Sequence, residues 1–500
     1  MNQNNISAAE LFLRVRELLI LPELEPKTRN KMMHDTLILC CHEGVKETKQ
    51  AFGNLFSQVD YLCKAHGIKV ADKIAIQTMR RHSNSQEPLS GEDLKYDVRA
   101  LAIFISAVFG VDVPHELNVL IPHTNRPYQK GLEINNRRIR CIVKNWDSDF
   151  IRVDIDQDAD EEEYLVQLKD EENHIDHTYL WDILKEGMQL NLLDCQVKQP
   201  IITPRLIVVE PDYLVDISSI ATCFTAFGHH PLLYLLNQMK PRANTQATLL
   251  GNFAGAALDD IINTNGKYQM NETIKTNFRE KALEFCTCPW FDAKKFYTDA
   301  NQQAFNLQQV VDILFPRTAS QAQMSAFRGE SLYDRKKAIL EPSFVCEALG
   351  IQGRVDLMTT DCKLLVEQKS GRNMNIETHQ VDPGYHSYQL EPHYVQLLLY
   401  YGVLQHNFKL SNDRVNIRLL YSKYQPQDGL MVVAYYHKLF QEAITYRNQL
   451  VAASFEIAKE GFEHALNEFT PEVLNVAGTQ DFFYNKYLKP QIEAITSPLH

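Results

Sequence analysis

Between Gly353 and Arg372 two short arms alternate apolar and polar residues around a polar turn, Thr360 to Lys363, and this pattern confines the segment to a β-hairpin. Val355 and Leu357 are the apolar positions of the first arm, Leu364 to Val366 those of the second. With Asp361-Cys362 as a two-residue loop, Asp356 falls opposite Glu367. Directly opposed residues on antiparallel strands hold their Cβ atoms about 4.5–5.5 Å apart, so two carboxylates there repel unless a cation lies between them. Mg²⁺, at about 2.0–2.1 Å from its ligand oxygens, fits such a gap and completes its shell with waters and substrate phosphates. Period two puts Lys369 on the face of Glu367. An ammonium there orients an attacking water, while the cation lowers that water's pKa and stabilises the developing charge. The implied chemistry is phosphodiester hydrolysis. The bland alternative is an ordinary exposed hairpin, because a D…ExK triplet arises by chance in many chains.

Pro392 opens an apolar stretch through Leu404 that reads as a helix, with Gln396 and Tyr400 four apart on one face. Its leucines mark it as a core element too. D…ExK followed by a Q-x-x-x-Y helix resembles the RecB-like branch of the PD-(D/E)xK nucleases. The wording around it is most similar to the nuclease half of the DNA replication helicase/nuclease family, which has stretches like Leu349 to Asp356 and Glu367 to Arg372. Upstream, Val208 to Val215 and Ser218-Ser219-Ile220 resemble that family's first nuclease strand and helix. Leu250-Gly251-Asn252-Phe253 resembles its Gly-x-x-x-His helix, and Tyr446 to Leu450 its Arg-Asn helix. The likeness covers roughly residues 205 to 455.

The resemblance implies a Mg²⁺- or Mn²⁺-dependent deoxyribonuclease acting on single-stranded or flapped DNA. Asp356, Glu367 and the main-chain carbonyl of Gln368 would hold the metal, Lys369 would position the water, and Gln396 and Tyr400 would orient the lysine and the DNA backbone. Two departures stand out. The family histidine is replaced by Gly255; Asp259 or Asp260 could supply an oxygen instead, against the preferred reading of a solvated helix face. Many of these nucleases carry an iron-sulfur cluster on four cysteines. Here its upstream position is Ala226 and no cysteine follows Cys362, so no cluster is expected.

The expected architecture is α/β: a restriction-endonuclease-like PD-(D/E)xK core over 205–467 with a helical insertion at 265–340, and a tail from 468 to 500. A helical domain over 1–115 and a small OB-like β-barrel over 125–204 precede it. The capping box Ser7-x-x-Glu10 opens the first helix, which runs through Leu21, and Arg140 to Lys144 and Phe150 to Asp154 read as barrel strands. Asp154-x-Asp156-x-Asp158-x-Asp160 is not a calcium loop, because Ala159 and Leu165 stand where glycine and the bidentate glutamate belong. It reads as a charged hairpin tip.

With 45% hydrophobic and 23% charged residues the chain has ordinary globular usage, and it shows neither a membrane-spanning run nor a signal peptide. Ten scattered cysteines suit a reducing cytoplasm, and Cys286, Cys288, His174, His177, His229 and His230 read as structural. No P-loop occurs, so no ATP site is expected, and a helicase would act in cis or in trans. A net charge of −12 argues against a surface coated for DNA. A local strip is expected instead, from Arg328, Arg335, Lys336, Lys337, Arg354, Lys363 and Arg372, with Tyr385, Tyr388 and Tyr394 to stack on bases. Two other classes compete. A catalytically silent nuclease fold serving as a DNA-binding or helicase-docking module is favoured by Gly255, and a helical scaffold would leave the hairpin unexplained.

Overall fold

The computed structural model describes residues 6–495 except 22–24, 49, 86, 127–135, 157–162, 226–227, 240–243, 265–266, 382–386, 411–414 and 468–483. Ala226, Tyr385 and the Asp158 to Asp160 half of the acidic run therefore lie outside the described residues. The fold is mixed α/β and divides into two compact units, Met1–Tyr213 with Ser454–Gly461 and Leu214–Ala453 with Phe462–His500.

In the first unit, Ser7 and Glu10 close their capping box at the start of the helix Ala8–Ile20, satisfying orphan N–H groups at that terminus. Four further helices, Pro26–Val45, Leu55–Ala65, Val70–Ser83 and Gly91–Phe109, bury their apolar stripes with it in one core around Leu11, Leu37, Leu62, Met79 and Leu101. A seven-stranded sheet follows. Its central strands are Arg138–Trp146 and Phe150–Ile155, paired antiparallel with Cys141 opposite Ile155. Alternation sends Ile139, Cys141, Val143, Ile151 and Val153 into its own core. Phe150–Ile155 pairs antiparallel with Tyr164–Gln167, so Asp154 and Asp156 stand at the end of a hairpin arm, and they are ion-paired there: Lys73 and Lys144 with Asp154, and Arg80 and Arg81 with Asp156. Leu206–Val209 pairs with Gln189–Leu193 at the edge of this sheet, whereas Val215–Asp216 pairs in the second unit, so the stretch Val208 to Val215 that resembles a first nuclease strand is not one strand but is divided between the two units.

The second unit is built on a five-stranded sheet in the order Ala338–Leu340, Leu357–Thr359, Leu364–Lys369, Asn416–Tyr421, Leu430–Val432. Only the pair Leu364–Lys369 and Asn416–Tyr421 is parallel, and the connection between them carries the helix Glu391–Phe408, as a parallel crossover requires. On one face Leu357, Leu364, Val366 and Leu420 share a core with the helices Gln246–Asn263 and Ala293–Leu314. The 265–340 stretch is thus a layer of the unit and not an appendage. Gln303 Nε2 donates to Ser370 O and Asn306 Nδ2 to Ser422 O, both at 2.9 Å, tying its long helix to both parallel strand ends.

Candidate active site

Strand Leu364–Lys369 is the axis of the site. Its even-numbered Leu364 and Val366 enter the core, and Gln368 Nε2 donates to Ser422 Oγ at 2.6 Å. Alternation turns Glu367 and Lys369 to the other face. There Lys369 Nζ donates to Glu367 Oε1 and to Gln396 Oε1, each at 2.8 Å. The pairs Leu357–Val366 and Met358–Leu365, continued by one residue, set Asp356 opposite Glu367 as the sequence spacing predicts.

The first arm is not one continuous strand. Ile351–Arg354 pairs with Ser343–Cys346 and Val215–Asp216 in a separate three-stranded sheet, and the chain joins the five-stranded sheet only at Leu357. Asp356 sits at this switch, where its carbonyl accepts from Glu341 N at 2.9 Å. Tyr400 fixes the approach: its hydroxyl donates to Arg354 O at 2.7 Å, and a Cβ on Gly353 would lie 3.0 Å from the Tyr400 hydroxyl oxygen, so glycine lets the ring come close. Tyr400 thus steadies the strand that delivers Asp356, while Gln396 is the residue touching the lysine.

Lys363 O and Lys369 O accept from Asn416 N and Ser422 N, so the odd-numbered peptide groups bond toward the neighbouring parallel strand. Gln368, being even, turns its N–H and carbonyl to the opposite edge. Its N–H donates to Asp356 Oδ2 at 2.6 Å, which puts the Gln368 carbonyl on the edge where Asp356 sits.

Glu367 is 3% exposed in its side chain, and its Oε2 is buried with no hydrogen-bond partner among the described residues. Burial, then the charge of Asp356, pushes its pKa up to about 8 against the pull of Lys369. Burial raises Asp356 as well, opposed by the Gln368 N–H and Lys369. Two carboxyls that resist ionisation, an orphaned oxygen and a main-chain carbonyl on the same edge make a hard-oxygen donor set, which fits Mg²⁺ or Mn²⁺. Among the described residues no three His, Cys, Asp or Glu side chains gather closely enough to chelate an ion alone. The carbonyl, solvent and substrate would therefore complete the shell.

On the helix Gln246–Asn263, Gly251, Gly255 and Asp259 follow one another at four-residue spacing. A Cβ on Gly251 would lie 3.2 Å from Ser370 Oγ, while one on Gly255 would meet nothing within 4 Å. Asp259 is half-buried rather than solvated, and burial with the charges of Glu341 and Asp356 pushes it up to about 7. Asp260 instead accepts from Thr273 Oγ1.

Most of the expected basic strip is already engaged. Arg335 donates to the carbonyls of Ile261 and Ile262 at a helix end, Lys337 pairs with Asp361, Arg354 with Glu341 and Arg372 with Glu377. Arg328, Lys336 and Lys363 are exposed and make no ion pair among the described residues. Tyr394 is 2% exposed, with its hydroxyl donating to Ala434 O, so it cannot stack on a base; Tyr388 is half-buried. His229 bridges Glu391 and Glu442 at 2.5 and 2.8 Å; burial opposes its charge, but the two glutamates prevail and push its pKa up to about 9. Cys286 and Cys288 are free thiols.

One residue beside the site escaped the sequence reading. His393, three residues before Gln396 and so on its face, hydrogen-bonds Tyr421 and lies in the field of Lys369. Its i, i+3 spacing to Gln396 was the only available signal. Set against known proteins, the chain matches no protein-family model and no curated protein sequence. Among the described residues no helix is long and apolar enough to cross a membrane.

Proposed function

We propose that this chain is a divalent-metal-dependent deoxyribonuclease with a PD-(D/E)xK core of the RecB-like branch, hydrolysing phosphodiester bonds in single-stranded or flapped DNA. One observation carries the reading: Glu367 faces Asp356 with a buried, unpartnered oxygen, and Lys369 stands 2.8 Å from Glu367. A structural hairpin has no use for two opposed carboxyls that burial makes hard to ionise.

Asp356, Glu367 and the Gln368 carbonyl would hold the ion, which supplies Lewis acidity at the phosphate when bound. Lys369, held by Gln396, orients the attacking water. Tyr400 keeps the Asp356 strand in place through Arg354 O. The exposed cations Arg328, Lys336 and Lys363 support a local hold on the phosphate backbone. The small sheet of the first unit is read as an OB-like barrel. A helicase partner in cis or trans and a role in DNA replication or repair come from the resemblance alone. A reducing, cytoplasmic setting is supported by ten cysteines that are all free thiols.

A second reading, a silent nuclease fold that docks DNA or a helicase, is favoured by the open space at Gly255. The deciding experiment is cleavage of end-labelled single-stranded, flapped and duplex DNA in Mg²⁺ and then Mn²⁺, with Lys369→Ala beside the parent. Metal-dependent cutting lost in the variant is the expected result. Binding without cutting would establish a silent DNA-docking module, and neither binding nor cutting would sink the nuclease and leave helicase docking alone.

A further inference from the structure

Tyr421 is the register partner of Lys369 across the parallel strands, and the helix Glu391–Phe408 carries Gln396, the lysine's acceptor. The tyrosine hydroxyl accepts the Leu390 N–H at 3.0 Å and lies 3.0 Å from His393 Nδ1. The Leu390 N–H can only donate, so among the described partners the hydroxyl's own proton has one acceptor, His393 Nδ1, which receives it.

That assignment fixes the tautomer. A ring that accepts at Nδ1 carries its proton on Nε2. Nε2 has no partner among the described residues, and it is not among the sealed, unsatisfied polar atoms, so it opens to solvent. Burial and the charge of Lys369 hold the imidazole's pKa down, to about 3, which keeps the ring neutral.

We propose that His393 is a substrate-binding residue whose neutral Nε2–H donates to a non-bridging phosphate oxygen of the DNA strand beside Lys369. The inference rests on the nuclease reading above and adds a specific contact to it. Lys369 supplies charge, and His393 supplies direction at no cost in ionisation. The Leu390 and Tyr421 relay orients the donor before substrate arrives, so little ordering remains to oppose binding.

The test compares the parent with His393→Leu and His393→Gln in Mn²⁺, reading kcat/KM on single-stranded DNA across a KCl series and Mn²⁺ affinity by calorimetry. A hydrogen bond to a charged group corresponds to about a 10- to 100-fold effect, so His393→Leu should lower kcat/KM by that factor. His393→Gln, which returns an N–H near the Nε2 position, should recover to within about threefold. Mn²⁺ affinity and the slope of log(kcat/KM) against log[KCl] should match the parent in both variants. A charged contact would instead flatten that slope by about 0.7 when removed. Undiminished cutting by His393→Leu, equal losses in both variants, or a flattened slope would overturn the proposal while leaving the nuclease standing. A parent that does not cut would overturn the nuclease reading itself, and this contact with it.

Discussion

Glu367 pits stability against its expected role, and the conflict is measurable. Its carboxyl is pushed up to about 8 from an ordinary 4.5, chiefly by burial. Below about pH 4.5 it is protonated in both folded and unfolded chains and contributes nothing to pH dependence. Between about pH 4.5 and 8 the unfolded chain has released the proton and the native state retains it, so stability falls as pH rises, by about 1.4 kcal/mol per pH unit. Over the whole window the loss is about 5 kcal/mol, and above pH 8 it stays constant. Glu367→Gln keeps the shape and removes the titration. Metal-free unfolding in denaturant at pH 6, 7, 8 and 9 should therefore show the variant gaining on the parent by about 1.4 kcal/mol per pH unit up to pH 8. Added Mn²⁺ should reverse the order at pH 8, because only the parent gains from binding. Parallel pH profiles, or equal stabilisation of both proteins by Mn²⁺, would refute the account of a buried carboxyl kept for a cation.

Three other substitutions probe the frame around it. Gly255→His places an imidazole in open space on the helix stripe between Gly251 and Asp259, and should tighten Mn²⁺ binding about tenfold by calorimetry without loss of fold. Gly350→Ala should destabilise by about 3 kcal/mol or more in thermal unfolding: φ is +61°, and the new methyl would lie 2.3 Å from a nitrogen of the fully buried Arg447. Tyr400→Phe removes the bond to Arg354 O, costing about 1–2 kcal/mol of stability while leaving the Mn²⁺ ligands in place, so calorimetry should move less than unfolding.

The hairpin was legible because its information is local. Strand period and a polar turn set which residues face each other, and the register that puts Asp356 across from Glu367 follows from them. The break between Ile351–Arg354 and Leu357–Thr359 was not legible, since it depends on which distant strands pair with each half. The same limit explains the basic strip: the partners of Arg335 at Ile261 and Ile262 lie more than seventy positions away. Tyr394 looked available for stacking because an aromatic on an apolar helix gives no sign of which face carries it. Asp259 was read as solvated for a like reason, its neighbours Glu341 and Asp356 being remote in the chain. The helical character of 265–340 was readable from composition, but its place under the sheet was not, because Gln303 and Asn306 reach their partners only after folding.

That last pair of contacts limits how the molecule can be trimmed. An engineer seeking a minimal catalytic fragment would be drawn to excise the long polar stretch ahead of the hairpin. Doing so would strip the cover from Leu357, Leu364, Val366 and Leu420 and release the carbonyls of Ser370 and Ser422 from their amide donors. The outer side of the helix Ala293–Leu314, where Phe305 is 56% exposed, is by contrast free to change. Shortening is best aimed elsewhere, and surface redesign belongs on that outer side.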